Sequence, residues 1–157
     1  MVEIKNAVKE DLQQCAKILR NIYNNNVLSE GWTEQSSNAI CNFYFNLQPD
    51  LFFVAKDGDK VVGFTFSFIK PWADGNQLMA EELAVVEEYR KQKIATKLLK
   101  TLVSNAKDKY NIIMVNGTTY NGLNGMPYSW YERIGFNKVE DLFLIEANAD
   151  ELLAKMD

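Results

Sequence analysis

Residues 83–99 set the end of an apolar strand, a basic turn and an amphipathic helix in immediate succession. Leu83, Ala84, Val85 and Val86 lead through Glu87, Glu88 and Tyr89 into Arg90, Lys91, Gln92 and Lys93, and then into Ile94, Ala95, Thr96, Lys97, Leu98 and Leu99. The chemistry such a run can do is anion binding. The first N–H groups of a helix have no partners within it and lie at the positive end of its dipole, so a turn opening at Arg90 can cradle a pyrophosphate on main-chain donors. Residues 90–109 carry seven basic side chains against the one acid Asp108, a net +6 in a chain whose total is −4, which leaves −10 on the remainder. A basic helix on an acidic body suits a small polyanion at one edge, whereas a nucleic acid calls for a broad positive surface. Lys100, Lys107 and Lys109 read as a solvated helix face; Lys91 and Lys93 stand in the turn itself.

Other chemistries are poorly supplied. With no His, a metal site would need carboxylates alone, and Cys15 and Cys41 lack ligand spacing, so no metal is expected and both thiols read as reduced and buried. No Gly-x-x-x-x-Gly-Lys-Ser/Thr run and no Gly-x-Gly-x-x-Gly after the first strand supports a nucleotide triphosphatase or a dinucleotide oxidoreductase.

The elements that must carry the turn follow from periodicity. Val2, Ile4 and Val8 alternate as a first strand, and Leu12, Cys15, Ala16, Leu19, Ile22 and Tyr23 recur at helical spacing up to a stop at Asn24, Asn25 and Asn26. Thr33, with Ser36 and Ser37, can open a second helix carrying Ile40, Phe43, Tyr44 and Leu47 and closed by Pro49. Residues 51–55 and 60–69 are β-rich runs joined by a hairpin signal at Lys56, Asp57, Gly58 and Asp59, and a loop is expected over 71–76. Strand 78–86, helix 93–110 and the short buried strand 112–115 come next. A Gly- and Asn-rich loop over 116–125, a short helix 128–134 stopped by Gly135, and closing strands over 136–145 complete the chain. This order predicts one α/β domain, residues 1–157, with a mixed sheet. An apolar share of 47% with 24% charged residues is that of an ordinary globular protein. No apolar run approaches the roughly 18 to 20 residues of a membrane span, and Met1 to Lys5 lack the order of a signal peptide, so a cytoplasmic protein away from membranes is expected.

With these residues in place, the chain resembles the GNAT superfamily of acyl-CoA N-acyltransferases, whose central motif is a strand ending Leu-x-Val followed by Arg/Gln-x-x-Gly-x-Gly/Ala at a helix start. Leu83 and Val85 match the strand, and Arg90, Ile94 and Ala95 match the turn; Lys93 stands where the family usually has glycine, Lys91 where glycine is common, and Glu87 where proline often sits. A second match about thirty residues on comprises Asn124, Tyr131, Gly135 and Phe136, with Pro127 replacing an alanine. The order of elements fits the family from first strand to last.

The resemblance implies a mixed, mostly antiparallel sheet splayed between its fourth and fifth strands, flanked by about four helices. It implies acetyl-CoA as co-substrate in that cleft: pantetheine pairing with the backbone around Leu83, Ala84 and Val85, pyrophosphate on the amides from Lys91 through Gln92, Lys93, Ile94 and Ala95 to Thr96, Arg90 adding charge, and Asn124 contributing to the site. Tyr131 falls where the family places its general acid, able to protonate the departing thiolate. A backbone N–H near Val85 would hold the oxyanion. For the base, the absence of His leaves Glu82 as first choice and Glu81 as second, or an amine that arrives already deprotonated. As neighbours on a strand, the two carboxylates are expected to point to opposite faces, so that only one meets the cleft. The acceptor is expected between the first two helices, beside the Trp-and-acid loops at 29–32 and 71–74, where aromatic faces and carboxylates suit an amine cation. A small-molecule primary amine (an amino-acid derivative, a polyamine or an aminoglycoside-like compound) leads, with a protein N-terminus or lysine as the alternative and a homodimer compatible with either. The rival from another class is a non-catalytic acyl-CoA-binding sensor; a nucleic-acid-binding module is disfavoured by the acidic remainder.

Overall fold

The computed structural model describes residues 1–25, 29–120, 127–142 and 144–156. They fall into two compact units, Met1–Thr118 and Thr119–Asp157. In the first unit, β1 (Glu3–Asn6), α1 (Leu12–Asn24), α2 (Glu34–Leu47), β2 (Phe52–Asp57), β3 (Lys60–Trp72), β4 (Gly75–Val85), α3 (Ile94–Tyr110) and β5 (Met114–Gly117) follow in chain order. The strands lie side by side in that same order. Each neighbouring pair among the first four is antiparallel and β5 runs parallel to β4, the mixed sheet expected from the sequence.

Alternation on β2 and β3 divides the hydrophobic core between the two faces of the sheet. Phe52, Val54, Phe64, Phe66 and Ala84 pack with Leu12, Cys15, Ala16 and Leu19 of α1 and Cys41 of α2. The opposite pleat receives α3, whose Leu98 side chain lies against Gly63 and whose Leu98, Leu102 and Ala106 are fully buried. Each fully buried Leu or Phe contributes about 2 kcal/mol.

Local chemistry sets the helix starts. Thr33, in extended conformation, caps α2: its hydroxyl accepts the Ser36 N–H (3.0 Å), and the Ser36 hydroxyl accepts the Thr33 N–H (2.9 Å), satisfying two amides at once. Before α1, buried Asp11 accepts the Val8 N–H (3.1 Å) and pairs with Lys56 Nζ (2.8 Å), tying the helix entry to β2. Cys15 and Cys41 are free and buried, and burial pushes the Cys41 thiol up to about 12.

Three expectations need correction. The loop expected over 71–76 is a tight hairpin: β3 continues to Trp72 and β4 begins at Gly75, the two pairing directly across Ala73 and Asp74. The strand expected over 112–115 is observed at Met114–Gly117. The closing strands expected over 136–145 are absent among the described residues, where that stretch is irregular and Val139, Leu142, Leu144 and Ile145 are exposed. Apolar content alone does not make a strand, which needs a neighbour to take its backbone bonds and cover one face. The second unit holds instead α4 (Tyr128–Arg133) and α5 (Ala149–Met156), the latter not foreseen. Among the described residues no helix is long and apolar enough to cross a membrane.

Candidate active site

The site begins with a register fault. Phe66 pairs with Glu82 and Ser67 with Ala80, so β4 carries one extra residue, Glu81, in a β-bulge. A bulge breaks the period-2 alternation, and the expectation that Glu81 and Glu82 point to opposite faces fails here. Both reach toward the helices of one face. The Tyr23 hydroxyl of α1 donates to both carboxylate oxygens of Glu82 (3.0 and 2.9 Å), and the Tyr44 hydroxyl of α2 donates to Glu81 Oε2 (2.9 Å). Tyr44 is held by stacking on Phe66, the cross-strand partner of Glu82, with ring centroids 4.4 Å apart. The Thr65 hydroxyl donates to the Glu82 carbonyl at 2.6 Å and pins the bulge from β3.

Burial dominates the electrostatics. Glu82 is half-buried, and loss of hydration pushes its carboxyl up to about 7; the hydrogen bonds from Tyr23 and the Leu83 N–H pull it down, and the neighbouring charges of Glu30 and Glu81 push it up. The Tyr44 hydroxyl is likewise driven up to about 12 by burial and by Glu81. Glu30, in the chain between α1 and α2, accepts the Trp32 indole N–H at 2.8 Å. Three carboxylates and the ring of Trp32 thus belong to the α1–α2 side of β4. The other Trp-and-acid loop does not join them. Trp72 pairs with Gly75 at the hairpin end, six residues along β3 from the partner of Glu82, or about 20 Å at strand rise. There it is half exposed and covered by Lys70, whose Nζ sits 4.4 Å from the ring centre.

The edge of β4 opens beyond the bulge. The parallel ladder with β5 runs only from Gln77 to Ala80 against Met114 to Gly117, so residues 81–85 have no β5 partner. At the last pair a Cβ on Gly117 would come 3.0 Å from the Ala80 carbonyl oxygen, so glycine permits the close approach from which the two strands part. The Val86 N–H donates to the Val62 carbonyl (3.0 Å); alternation from that bond aims the N–H of Ala84 at β3 and those of Leu83 and Val85 at the open edge. Of the three strand residues expected to face a cofactor, Leu83 and Val85 present their amides there. Ala84 does not: its side chain is buried in the core and its amide is directed at β3. The Leu83 N–H is already taken, donating to Glu82 Oε1 at 3.0 Å. Arg90 Nε donates to the Val85 carbonyl at 3.3 Å, bending the exposed guanidinium back over the strand end.

The basic turn opens α3 with backbone amides that the helix itself leaves unbonded. The first helical bond of α3 runs from the Lys97 N–H to the Lys93 carbonyl (3.0 Å), leaving the amides of Ile94, Ala95 and Thr96 without helical acceptors. Lys91 and Lys93 both have positive φ, 60° and 62°, the left-handed conformation that glycine adopts freely. Lys93 therefore caps α3 rather than entering its first turn, and Gln92 stands between the two with its side chain donating to the Glu88 carbonyl (3.3 Å). The chain keeps the glycine geometry without the glycines, at about 1 kcal/mol for each lysine.

In the second unit, Tyr131 lies on α4, half-buried, its ring edge-on to Trp130 (4.9 Å) and Phe136 (5.4 Å). Gly135, at φ 106°, turns the chain so that the Phe136 N–H meets the Tyr131 carbonyl at 3.0 Å; the Tyr-to-Gly-Phe spacing is thus a local packing unit around the tyrosine ring. Asn124 lies outside the described residues. Sequence reasoning missed Tyr23 and Tyr44. The available signal was a pair of tyrosines on buried helix faces, whose hydroxyls need acceptors, alongside two adjoining strand carboxylates.

Comparison with known proteins places these features. The model of the acetyltransferase (GNAT) family matches residues 10–136. The fold is similar to that of the aminoglycoside N-acetyltransferase AAC(6')-Iy in complex with CoA (16% identity, TM-score 0.75, 95% of this chain and 96% of that one). It is also similar to a possible acetyltransferase from Clostridium difficile 630 (19%, TM-score 0.75, 94% and 99%) and to PH1933 from Pyrococcus horikoshii OT3 (24%, TM-score 0.74, 91% and 93%). No curated protein sequence matches.

Proposed function

We propose that this chain, which belongs to the acetyltransferase (GNAT) family, moves an acetyl group from acetyl-CoA directly to a primary amine of a small cationic molecule, an amino-acid derivative, a polyamine or an aminoglycoside-like compound. Acyl-CoA-dependent N-acyl transfer is the chemistry of that family. The observation that carries the finer reading is the half-buried Glu82 carboxylate, pushed up to about 7 and bonded to the amide of Leu83 at the open edge of β4. A carboxylate poised there suits removal of a proton from an ammonium near neutral pH, because a base works best when its proton affinity matches the working pH.

The residues present fit the co-substrate. The amides of Ile94, Ala95 and Thr96, with Lys91, Gln92 and Lys93 before them and Arg90 alongside, offer a pyrophosphate main-chain donors and positive charge. Leu83 and Val85 offer sheet-like pairing to a pantetheine arm. Acetyl-CoA supplies the activated acyl group and a thiolate leaving group. Glu82 takes one ammonium proton on a carboxylate oxygen, freeing the amine to attack, and a β4 amide near Val85 stabilises the oxyanion; Tyr131, at the position of the family's acid, gives its hydroxyl proton to the departing sulfur, and the second proton, lost by nitrogen as the amide forms, restores that hydroxyl. Glu30, Glu81 and Trp32 favour an acceptor that is itself cationic. The AAC(6')-Iy fold likeness is consistent with an amine of this class.

The test is acetyl-CoA-dependent thiol release across a panel of polyamines, aminoglycosides, amino-acid amides and N-terminal peptides, with wild type and Tyr131→Phe. The reading expects amine-dependent release from a cationic small molecule and a loss of about 10²-fold or more in kcat for the variant. Tight CoA binding without amine-dependent release points instead to a sensor, preferential use of peptides to protein acetylation, and full activity of the variant removes Tyr131 as the acid.

A further inference from the structure

We propose that Tyr23 is a positioning residue of this site: its hydroxyl, donated to both carboxylate oxygens of Glu82 from the last turn of α1, holds that carboxylate against the open edge of β4 and keeps it ready to accept a proton. The proposal rests on the reading of Glu82 as the base.

The geometry is over-determined. One Glu82 oxygen, Oε1, receives both the Tyr23 hydroxyl (3.0 Å) and the Leu83 N–H (3.0 Å), while Oε2 receives the same hydroxyl at 2.9 Å. The carboxylate is therefore fixed between a helix and the strand edge rather than swinging on its own side chain. Tyr23 packs against the core beneath, so its hydroxyl is delivered by a ring that has little room to move. An ionised carboxylate accepts these bonds better than a neutral acid does, so each of them favours the ionised form.

The other groups acting on Glu82 come from every neighbouring element. Glu30 acts from the chain before α2, Glu81 from the bulge, and the buried Cys41 thiol from α2; Tyr44 faces Glu81, and the Thr65 hydroxyl of β3 takes the Glu82 carbonyl. None of these is a cation. With burial and two carboxylates all opposing ionisation, the Tyr23 hydroxyl and the Leu83 amide are, among the described residues, the donors that keep Glu82 usable as a base near neutral pH. Any ligand that pairs with the open edge competes for the Leu83 amide, and Tyr23 is then the donor that remains.

The experiment uses the full chain with 13C-labelled glutamate carboxyls, the Glu82 resonance being assigned by its loss in Glu82→Gln. In Tyr23→Phe the Glu82 midpoint rises by about one pH unit, the worth of one hydrogen bond to a charged group. The acidic limb of kcat/KM rises with it, giving about a five-fold loss at pH 7 that closes as pH approaches 9. Replacing Tyr23 by 3-fluorotyrosine, a stronger donor of the same shape, lowers the midpoint and covers the case in which the Phe variant folds poorly. An unmoved midpoint in both variants, or an activity loss equal at all pH values, overturns the proposal. A midpoint that moves while the kinetic limb stays fixed upholds the Tyr23–Glu82 coupling and overturns instead the assignment of Glu82 as the base.

Discussion

The Glu82 carboxylate accepts the N–H of its own neighbour Leu83 at 3.0 Å, on the stretch of β4 that β5 leaves unpaired. The base candidate thus occupies one of the amides to which the proposed pantetheine pairing is assigned. Removing the carboxylate should separate binding from turnover: Glu82→Ala lowers kcat by about 10²- to 10⁴-fold while acetyl-CoA affinity holds or tightens a few-fold. Calorimetric titration with acetyl-CoA and steady-state kinetics check the two halves. A parallel collapse of affinity would mean that Glu82 shapes the cofactor cleft instead.

The same group makes stability depend on pH. The folded pKa of Glu82 is raised above its ordinary value of 4.5, so its contribution is fully favourable below about 4.5 and is lost as pH rises through about 7, where a buried group must ionise at a cost. Glu82→Gln keeps an oxygen for Tyr23 and Leu83 but never ionises. Relative to wild type it should gain about 3 kcal/mol between pH 4.5 and pH 8, read from urea unfolding at the two pH values. A constant difference across that range contradicts the raised pKa.

How far the chain can be read without its structure varies along its length. Cap and turn signals act locally, which is why Thr33 with Ser36, Gly58 in the β2–β3 hairpin, and the strand-to-helix turn at Arg90 sit where residue type alone puts them. The bulge at Glu81 left no such signal, because alternation is broken by pairing with β3 and pairing is a tertiary property. Counting alternate residues therefore sent one of the two glutamates to the wrong face. Tyr23 read as one more apolar-face residue of α1, since a sequence does not show the acceptor that its hydroxyl finds 59 residues on. Apolar residues in 136–145 suggested strands, yet β structure needs a partner edge that composition does not reveal.

Lys91 and Lys93 carry a strain that glycine would release. Each sits near φ 60°, and a substitution to glycine trades about 1 kcal/mol of left-handed strain against a slightly smaller gain in unfolded-chain freedom. Lys91→Gly and Lys93→Gly should therefore be neutral to mildly stabilising, whereas Lys93→Val, β-branched at positive φ, should cost more than 1 kcal/mol. Thermal melts of the three variants decide it. Marked destabilisation by both glycine variants would show that the lysine side chains, rather than the backbone, hold the turn.

Gly63 supports the open edge from beneath. A Cβ there would lie 2.8 Å from the Ala84 carbonyl oxygen and 3.1 Å from Val85 Cγ2, with Leu98 of α3 closing the third side at 3.4 Å. Gly63→Ala must push β4 outward and should cost about 2 kcal/mol. Because the push falls on Ala84 and Val85, acetyl-CoA affinity should weaken as well, and unchanged stability in chemical unfolding would contradict the tight approach.

The most direct measurement is the pH dependence of kcat/KM for the best amine, wild type beside Glu82→Gln, corrected for ionisation of the free amine. The account predicts an acidic limb with its midpoint near 7 in the wild type and its disappearance, with a loss of about 10²-fold or more, in the variant. A wild-type profile flat from pH 5 to 9, or a limb that survives in Glu82→Gln, would contradict it.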